Sequence, residues 1–254
     1  MKKLITIAAL LSTSAIATAA LAQDKVLGYS IGADVVSEYV FRGQSFGQES
    51  LQPFAEVSYG NFTAGSWFST GFGADSELSG DELDLYAGYS VPLEGDISLD
   101  LGATYYHYPQ GGALFETENG SAGSYEVSAS VGFGTVPLAP SVTAYYDFTL
   151  EAFTLEGAAS YSVPVAEKLS LDLGGTVGLV EGNGFAYQWG TASAALSHSV
   201  TEAASLYISA NYSLNSDDNT LNLKEFNNAT GTARGLAATT DNLFWVGSGI
   251  STSF

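Results

Sequence analysis

The segment LFWVGSGISTSF (residues 243–254) is the most informative about the fold class. Over the length of one strand, its apolar residues alternate with small or polar ones. The even-numbered residues are largely apolar and include Phe244, Val246 and Ile250. The odd-numbered residues from Trp245 onward are this tryptophan followed by glycines and serines. Successive side chains of a β-strand point to opposite faces of the sheet, so the segment predicts a strand with one apolar and one small, polar face. The segment also ends on an aromatic residue, Phe254. A closing strand of this kind is typical of outer-membrane β-barrels.

The same period of two recurs along the rest of the chain, for example in residues 97–108 and 204–214. Residues 28–42 alternate throughout and are expected to form one long first strand. The connections alternate between long and short, as in barrels whose termini share one side of the membrane. We therefore predict an all-β, transmembrane, antiparallel up-and-down β-barrel of about twelve strands. An extra hairpin around residues 221–226 would make fourteen.

The first residues have the pattern of a secretory signal. Lys2 and Lys3 precede an apolar run, and Ala20 and Ala22 supply a small-residue cleavage site before Gln23. We expect residues 1–22 to be a cleaved signal peptide and residues 23–254 to form the barrel, exported through the periplasm to the cell outer membrane.

Composition excludes several classes of protein. The chain has 27 acidic residues against 7 lysines and arginines, a formal net charge of −20, which argues against nucleic acid as a partner. It contains no cysteine, which excludes a disulfide scaffold and thiolate chemistry. A soluble β-sandwich would alternate as well. The signal peptide, the terminal Phe254 and the aromatic residues near strand ends favour the barrel.

Charged residues of the predicted strands fall on the parity opposite to the apolar residues. A charge that faces lipid at the bilayer midplane costs about 2 to 4 kcal/mol, with acids toward or below the low end, so this parity is expected to face the barrel interior. The predicted pore-lining residues are Asp34, Glu38, Arg42, Glu56, Asp84, Asp100, Glu126, Glu156 and Asp172, and Glu82 and Asp147 share their face.

Two interpretations of this acidic interior remain open. It is either a cation-favouring channel lining or a plugged interior in which the acids pair with Arg42 and with tyrosine and serine hydroxyls. The length of the first loop further predicts that Glu38 and Glu56 lie nearly opposite each other, with Arg42 one inward step above them at the mouth.

Catalytic and cofactor sites find little support in the sequence. A serine hydrolase needs a base, and the two histidines, His107 and His198, are predicted at opposite ends of the barrel. The loop acids Asp75, Glu77, Asp81, Asp217 and Asp218 do not follow the spacing of a calcium-binding loop. We therefore predict no catalytic residue, no metal site and no cofactor.

A series of segments resembles a known family. The segments are SEYVFRGQS (residues 37–45), QPFAEVSYG (52–60), FTAGSWFS (62–69), DLYAGYS (84–90), TYYHYP (104–109) and YEVSASVG (125–132). In this order they resemble the signature segments of the TorF-type family of outer-membrane porins. The resemblance implies an outer-membrane barrel of the porin kind and no particular substrate.

We expect a passive channel for small cationic or neutral solutes, without cofactor or energy coupling. The expected partners are outer-membrane lipid, the solutes, and the barrel-assembly machinery, which would bind the C-terminal strand ending at Phe254. The alternatives are an outer-membrane barrel enzyme that acts on lipid or envelope glycan and a closed barrel that serves as a structural or adhesive platform.

Overall fold

The wall of the molecule is a single antiparallel sheet closed into a barrel, as predicted. The computed structural model describes residues 26–72, 80–93, 97–116, 123–216 and 242–254. Twelve strands within these ranges form the barrel, and a separate pair, β2 and β3, forms its own two-stranded sheet. The strands are β1 (Leu27–Val36), β2 (Tyr39–Phe41), β3 (Gln44–Gly47), β4 (Ser50–Tyr59), β5 (Phe62–Gly71), β6 (Glu82–Pro92), β7 (Ile97–His107), β8 (Gly123–Phe133), β9 (Ser141–Asp147), β10 (Ala152–Ala166), β11 (Leu169–Gly182), β12 (Phe185–Ser199), β13 (Ala204–Asn215) and β14 (Asn242–Ser253).

The barrel closes between its first and last strands. β14 pairs with β1 on one side and with β13 on the other, and β1 pairs with β4 on its second side. We call the end of the barrel at which β1 begins and β14 ends the terminus end, and the opposite end the loop end.

The two faces of the wall differ as the alternation predicts. In β14, Phe244 is 64% exposed on the outside, whereas its neighbour Trp245 is 3% exposed inside. The parity of β12, which the sequence does not decide, follows the same rule: Trp189 is buried inside and Leu196 is exposed outside. Apolar side chains therefore cover the outer surface, and polar and aromatic side chains fill the interior.

The first strand is shorter than predicted, and this is the main correction to the fold. β1 ends at Val36, a bend follows, and residues 39–47 form the hairpin β2–β3 instead of continuing the wall. The backbone of Ser37 bonds to Val246 where the chain leaves the wall. The sequence pattern does not reveal this break, because Tyr39, Phe41 and Arg42 continue the parities of β1, although the hairpin buries the adjacent residues Tyr39 and Val40 alike.

Several connections are short turns, as predicted. Tyr59 pairs with Phe62 across Gly60, whose φ of +59° suits glycine in a two-residue turn. The predicted short connection after β9 spans residues 148–151. At the loop end β11 and β12 are also joined tightly, because Gly182 pairs with Phe185.

Strand β10 extends beyond its neighbour β9 at the terminus end. Its pairing with β9 stops at Ala158, whereas its pairing with β11 continues to Ala166. The backbone N–H of Ser160 still reaches the carbonyl of Leu138 at 2.8 Å. Beyond Ser160 no described residue pairs with this edge of β10, and the segment is exposed.

Two sequence predictions fall outside the described residues. These are the signal peptide (residues 1–22) and the extra hairpin around residues 221–226. Among the described residues, no helix has the length and apolar character needed to span a membrane.

Candidate functional site

The hairpin β2–β3 lies across the inside of the barrel near its loop end. Its residues contact side chains or backbone of eight wall strands, namely β5, β6, β7, β8, β9, β12, β13 and β14. The hairpin therefore spans the interior instead of lying along one side. We call its surroundings the candidate site.

Arg42 stands at the tip of the hairpin and forms an ion pair with the wall. Its Nη1 and Nη2 donate to the two carboxylate oxygens of Glu126 at 2.7 and 2.9 Å, and both side chains are buried. The guanidinium also lies 4.3 Å from the ring centre of Tyr145, a cation–π arrangement. Burial opposes the charge of Arg42, but the carboxylate of Glu126 outweighs it and raises the arginine pKa above its ordinary value. A two-pronged pair of this kind fixes the position of the tip as well as its charge.

The tip can turn tightly because of two residues with positive φ. Arg42 has φ +47° and Gly43 has φ +75°, and Phe41 pairs with Gln44 across them. Positive φ at both central residues is the signature of a type I′ turn, in which glycine is strongly favoured. The Arg-Gly pair of the sequence thus makes the hairpin turn.

The outgoing strand β2 is held by contacts on several sides. The Tyr39 hydroxyl donates to Glu82 at 3.0 Å, and its ring packs on Trp67. Burial, with the nearby Glu82 carboxylate, raises the pKa of Tyr39, so the hydroxyl stays protonated as a donor. Val40 packs in a buried cluster with Leu243 and Trp245 of β14.

Most inward acids of the wall accept hydrogen bonds from hydroxyl groups of neighbouring residues. Tyr86 donates to Glu56 at 3.1 Å, and Tyr106 donates to Glu126 at 2.9 Å. The remaining pairs are Asp34 with Tyr207, Asp100 with Ser90 and Ser98, Asp147 with Ser124, Glu156 with Tyr145, and Asp172 with Ser162 and Ser170. The interior is therefore an acid–hydroxyl network with Arg42 as its buried cation.

Seven of the nine predicted lining residues lie in wall strands. They are Asp34 in β1, Glu56 in β4, Asp84 in β6, Asp100 in β7, Glu126 in β8, Glu156 in β10 and Asp172 in β11. Arg42 belongs to the hairpin, and Glu38 lies in the bend before it. Of these residues, the structure brings Arg42 and Glu126 into direct contact.

The predicted juxtaposition of Glu38 and Glu56 is wrong. Glu56 has Ser30 and Gly65 as its register partners on the two neighbouring strands. Glu38 lies beyond the loop end of β1, because Val36 pairs with Ser50 and the chain bends inward after Val36. The partner of Arg42 is Glu126 in β8. The spacing of residues along the chain could not have revealed this pair.

The sequence did not single out Tyr39, Gln44, Tyr106 or Trp189 as parts of this site. The strongest indication available was the Arg42-Gly43 pair between two aromatic-flanked segments, which is compatible with a tight hairpin. The wall strands from which their contacts come are distant in sequence.

The histidines and loop acids do not assemble a recognisable catalytic or metal site. His107 is buried at the loop end of β7 beside Tyr105, and His198 is exposed toward the terminus end of β12. Asp81 accepts a hydrogen bond from Gln110. Asp75, Glu77, Asp217 and Asp218 lie outside the described residues. Within the described part of the chain, no group of three or more histidines and acids has metal-binding geometry.

The closed wall has the architecture of solved outer-membrane porins. The KdgM porin, solved alone and in complex with disordered oligogalacturonate, matches with a TM-score of 0.55 and 11% identity, over 89% of this chain and 99% of that one. The NanC porin matches with a TM-score of 0.51 and 12% identity, over 89% and 99% of the two chains. At such identities the likeness is one of fold. No curated protein sequence matches this chain significantly.

The family of this chain is assigned from its sequence. Residues 22–212 match the model of the Gcw_chp family, described as bacterial proteins of unknown function, and the chain belongs to that family. The resemblance to TorF-type porins remains a prediction.

Proposed function

We propose that the protein is an outer-membrane channel through which small solutes diffuse passively. The observation that carries this proposal is the contrast between the faces of a closed twelve-stranded wall, apolar outside and lined with acids and hydroxyls inside. An apolar outer band suits acyl chains, and a polar interior suits water and solutes.

We further propose that the channel favours cations over anions. The predicted lining has eight carboxylates against one arginine, and Glu126 neutralises that arginine. Lys168, the other lysine or arginine in the described part of the chain, lies in the turn between β10 and β11, away from Arg42 at the loop end. In a narrow, low-dielectric passage the field of unpaired wall charges is focused along the axis.

A closed structural or adhesive barrel is the second candidate. The hairpin β2–β3 favours it, because the hairpin contacts strands around most of the wall and so occupies the interior near the loop end. We do not propose an enzyme acting on lipid or glycan, because no observation in the described part of the chain favours one.

The proposal includes a location and partners. Outer-membrane lipid would surround the exposed apolar side chains, and the barrel-assembly machinery would bind the last strand, where Phe254 is exposed and its ring packs on Tyr29. Nucleic acid is not an expected partner of so acidic a chain.

Single-channel recording in planar bilayers tests the channel. We expect discrete conductance steps and a reversal potential that indicates cation preference. Asp34→Asn and Glu156→Gln should each lower the cation-to-anion permeability ratio, because each removes an inward charge and keeps a hydrogen-bond acceptor.

Glu167→Gln is the matched control, since Glu167 lies exposed in the turn after β10. It should leave the permeability ratio unchanged. Silence of correctly folded protein at all voltages would contradict the channel and favour the closed platform. Steps with equal permeability for both ions would contradict only the cation preference.

A further inference from the structure

The hairpin β2–β3 is an excursion from the wall and not a component of it. Val36, the last residue of β1, pairs directly with Ser50, the first residue of β4. The segment between them, residues 37–49, therefore leaves and re-enters the rim at neighbouring points. Its two strands pair with each other in a sheet separate from the barrel. The hairpin can leave the interior without breaking a hydrogen bond of the described ladder between β1 and β4.

The docked position leaves polar groups of the returning strand β3 unsatisfied. Gln44 is 2% exposed, and within the described part of the chain neither its amide nitrogen nor its amide oxygen has a hydrogen-bond partner. The Ser45 hydroxyl is 1% exposed and likewise lacks a described partner, as does the Nε of Arg42. Buried polar groups without partners favour any state in which water can reach them.

The contacts of β2 and the ion pair at the tip oppose this tendency, and the ion pair is the charged one. The pair between Arg42 and Glu126 joins the hairpin tip to β8 with two hydrogen bonds of 2.7 and 2.9 Å. A buried ion pair stabilises its docked geometry only while both partners are present, because removing one leaves an uncompensated buried charge. The docked hairpin thus combines a strong point contact at its tip with an unsatisfied return strand.

We propose that the β2–β3 hairpin is a displaceable plug of the lumen and that the Arg42–Glu126 pair is the latch that holds it. This inference rests on the proposed channel and adds its regulation. With the latch closed, the hairpin crosses the interior. With the latch broken, Gln44 and Ser45 become hydrated and the lumen beneath the hairpin opens.

Removal of the plug is the first test. Residues 38–48 are replaced by a short glycine–serine linker in the otherwise full chain, and single-channel currents are compared with those of the parent protein. We expect long closed intervals in the parent protein, and in the linker variant a larger conductance with these intervals lost. Equal currents in both proteins overturn the plug and leave the channel standing. Silence of both, with the barrel folded, overturns the channel itself.

Charge exchange at the latch is the second test. Arg42→Glu and Glu126→Arg should each raise the ratio of open to closed time by about tenfold or more, because each places like charges together in a buried site. The double variant, which restores opposite charges, should return the ratio toward the parent value. This rescue would show that the change in the ratio comes from the pair and not from either residue alone, and failure of the double variant to return the ratio toward the parent value would contradict the latch.

Lys168→Glu is the matched control, because it changes the charge by the same amount as Arg42→Glu at a position in the turn after β10. It should leave the open ratio unchanged. If the single variants alter ion selectivity but not the ratio of open to closed time, the hairpin is a fixed constriction and the proposal is wrong.

Discussion

Gly43 is a hairpin residue at which a side chain would have no room. Its φ is +75°, and a Cβ added there would lie 2.5 Å from the Cβ of Trp189. Gly43→Ala should therefore combine backbone strain with overpacking and weaken docking by about 2 to 4 kcal/mol. We expect faster amide exchange for residues 39–47 in detergent-solubilised protein, without a comparable change in the wall strands.

Gly60→Ala provides the control for that experiment. Gly60 also has positive φ, at +59°, but a Cβ added there meets no atom within 4 Å. This substitution should cost about 1 to 2 kcal/mol of backbone strain at its own turn and leave exchange in the hairpin unchanged. Equal exchange in the hairpin of the two variants would mean that Trp189 does not restrict the tip.

For a single residue, the alternation of apolar and polar side chains predicts which face of the wall the residue occupies. It does not predict which residue it bonds to. The wall acids Asp100 and Asp172 could be placed inward from sequence, because their apolar neighbours must face the other way. Their serine partners, and the tyrosines that meet Asp34 and Glu56, depend on register between strands. Arg42 shows the limit most clearly, since its partner Glu126 lies 84 residues away.

In the described part of the chain, strand β10 has an open edge beyond Ser160, and Pro164 lies on this edge. The N–H of Ser160 points to the side of β10 from which β9 has ended, so position 164, of the same parity, faces that side as well. Proline has no N–H to offer there, and proline on an exposed edge hinders pairing with another chain.

Pro164→Val should restore a donor on this edge and raise the fraction of protein that self-associates. Light scattering coupled to size-exclusion chromatography in detergent would measure that fraction. Pro53→Val is the control, because Pro53 lies in β4 between two wall neighbours. An identical monomer fraction for all three proteins would mean that Pro164 does not protect the edge.

Among the elements, the twelve wall strands were largely predictable and the hairpin was not. Each wall strand has an apolar outer face and a polar inner face. The period of two in its sequence therefore predicts the strand. Residues 39–47 do not follow this rule, because the hairpin lies inside the barrel and both faces of its strands are covered: the neighbours Tyr39 and Val40 are buried, as are Gln44 and Ser45. The bend at residues 37–38 contains no proline or glycine, so no turn-forming residue marks it in the sequence.

The whole molecule depends on the separation of two environments by one wall. The outside is apolar because Ile208, Ile250 and their equivalents project from it, and the inside collects almost all the strand charges. The closed wall follows from the regular strand pattern. The occupancy of the lumen by residues 37–49 follows from tertiary contacts and could not be read from composition or period.

Site-directed labelling of adjacent residues is the sharpest test of this two-sided wall. The chain contains no cysteine, so Ile208→Cys and Ser209→Cys on β13, and Ile250→Cys and Ser251→Cys on β14, each give one labelled position. In lipid vesicles, fluorophores at 208 and 250 should be quenched by a quencher attached to lipid tails. Fluorophores at 209 and 251 should be quenched by acrylamide, an uncharged quencher in the water phase that an acidic lumen does not repel. Quenching by acrylamide alone at all four positions, or the reverse assignment within a pair, would contradict a two-sided wall.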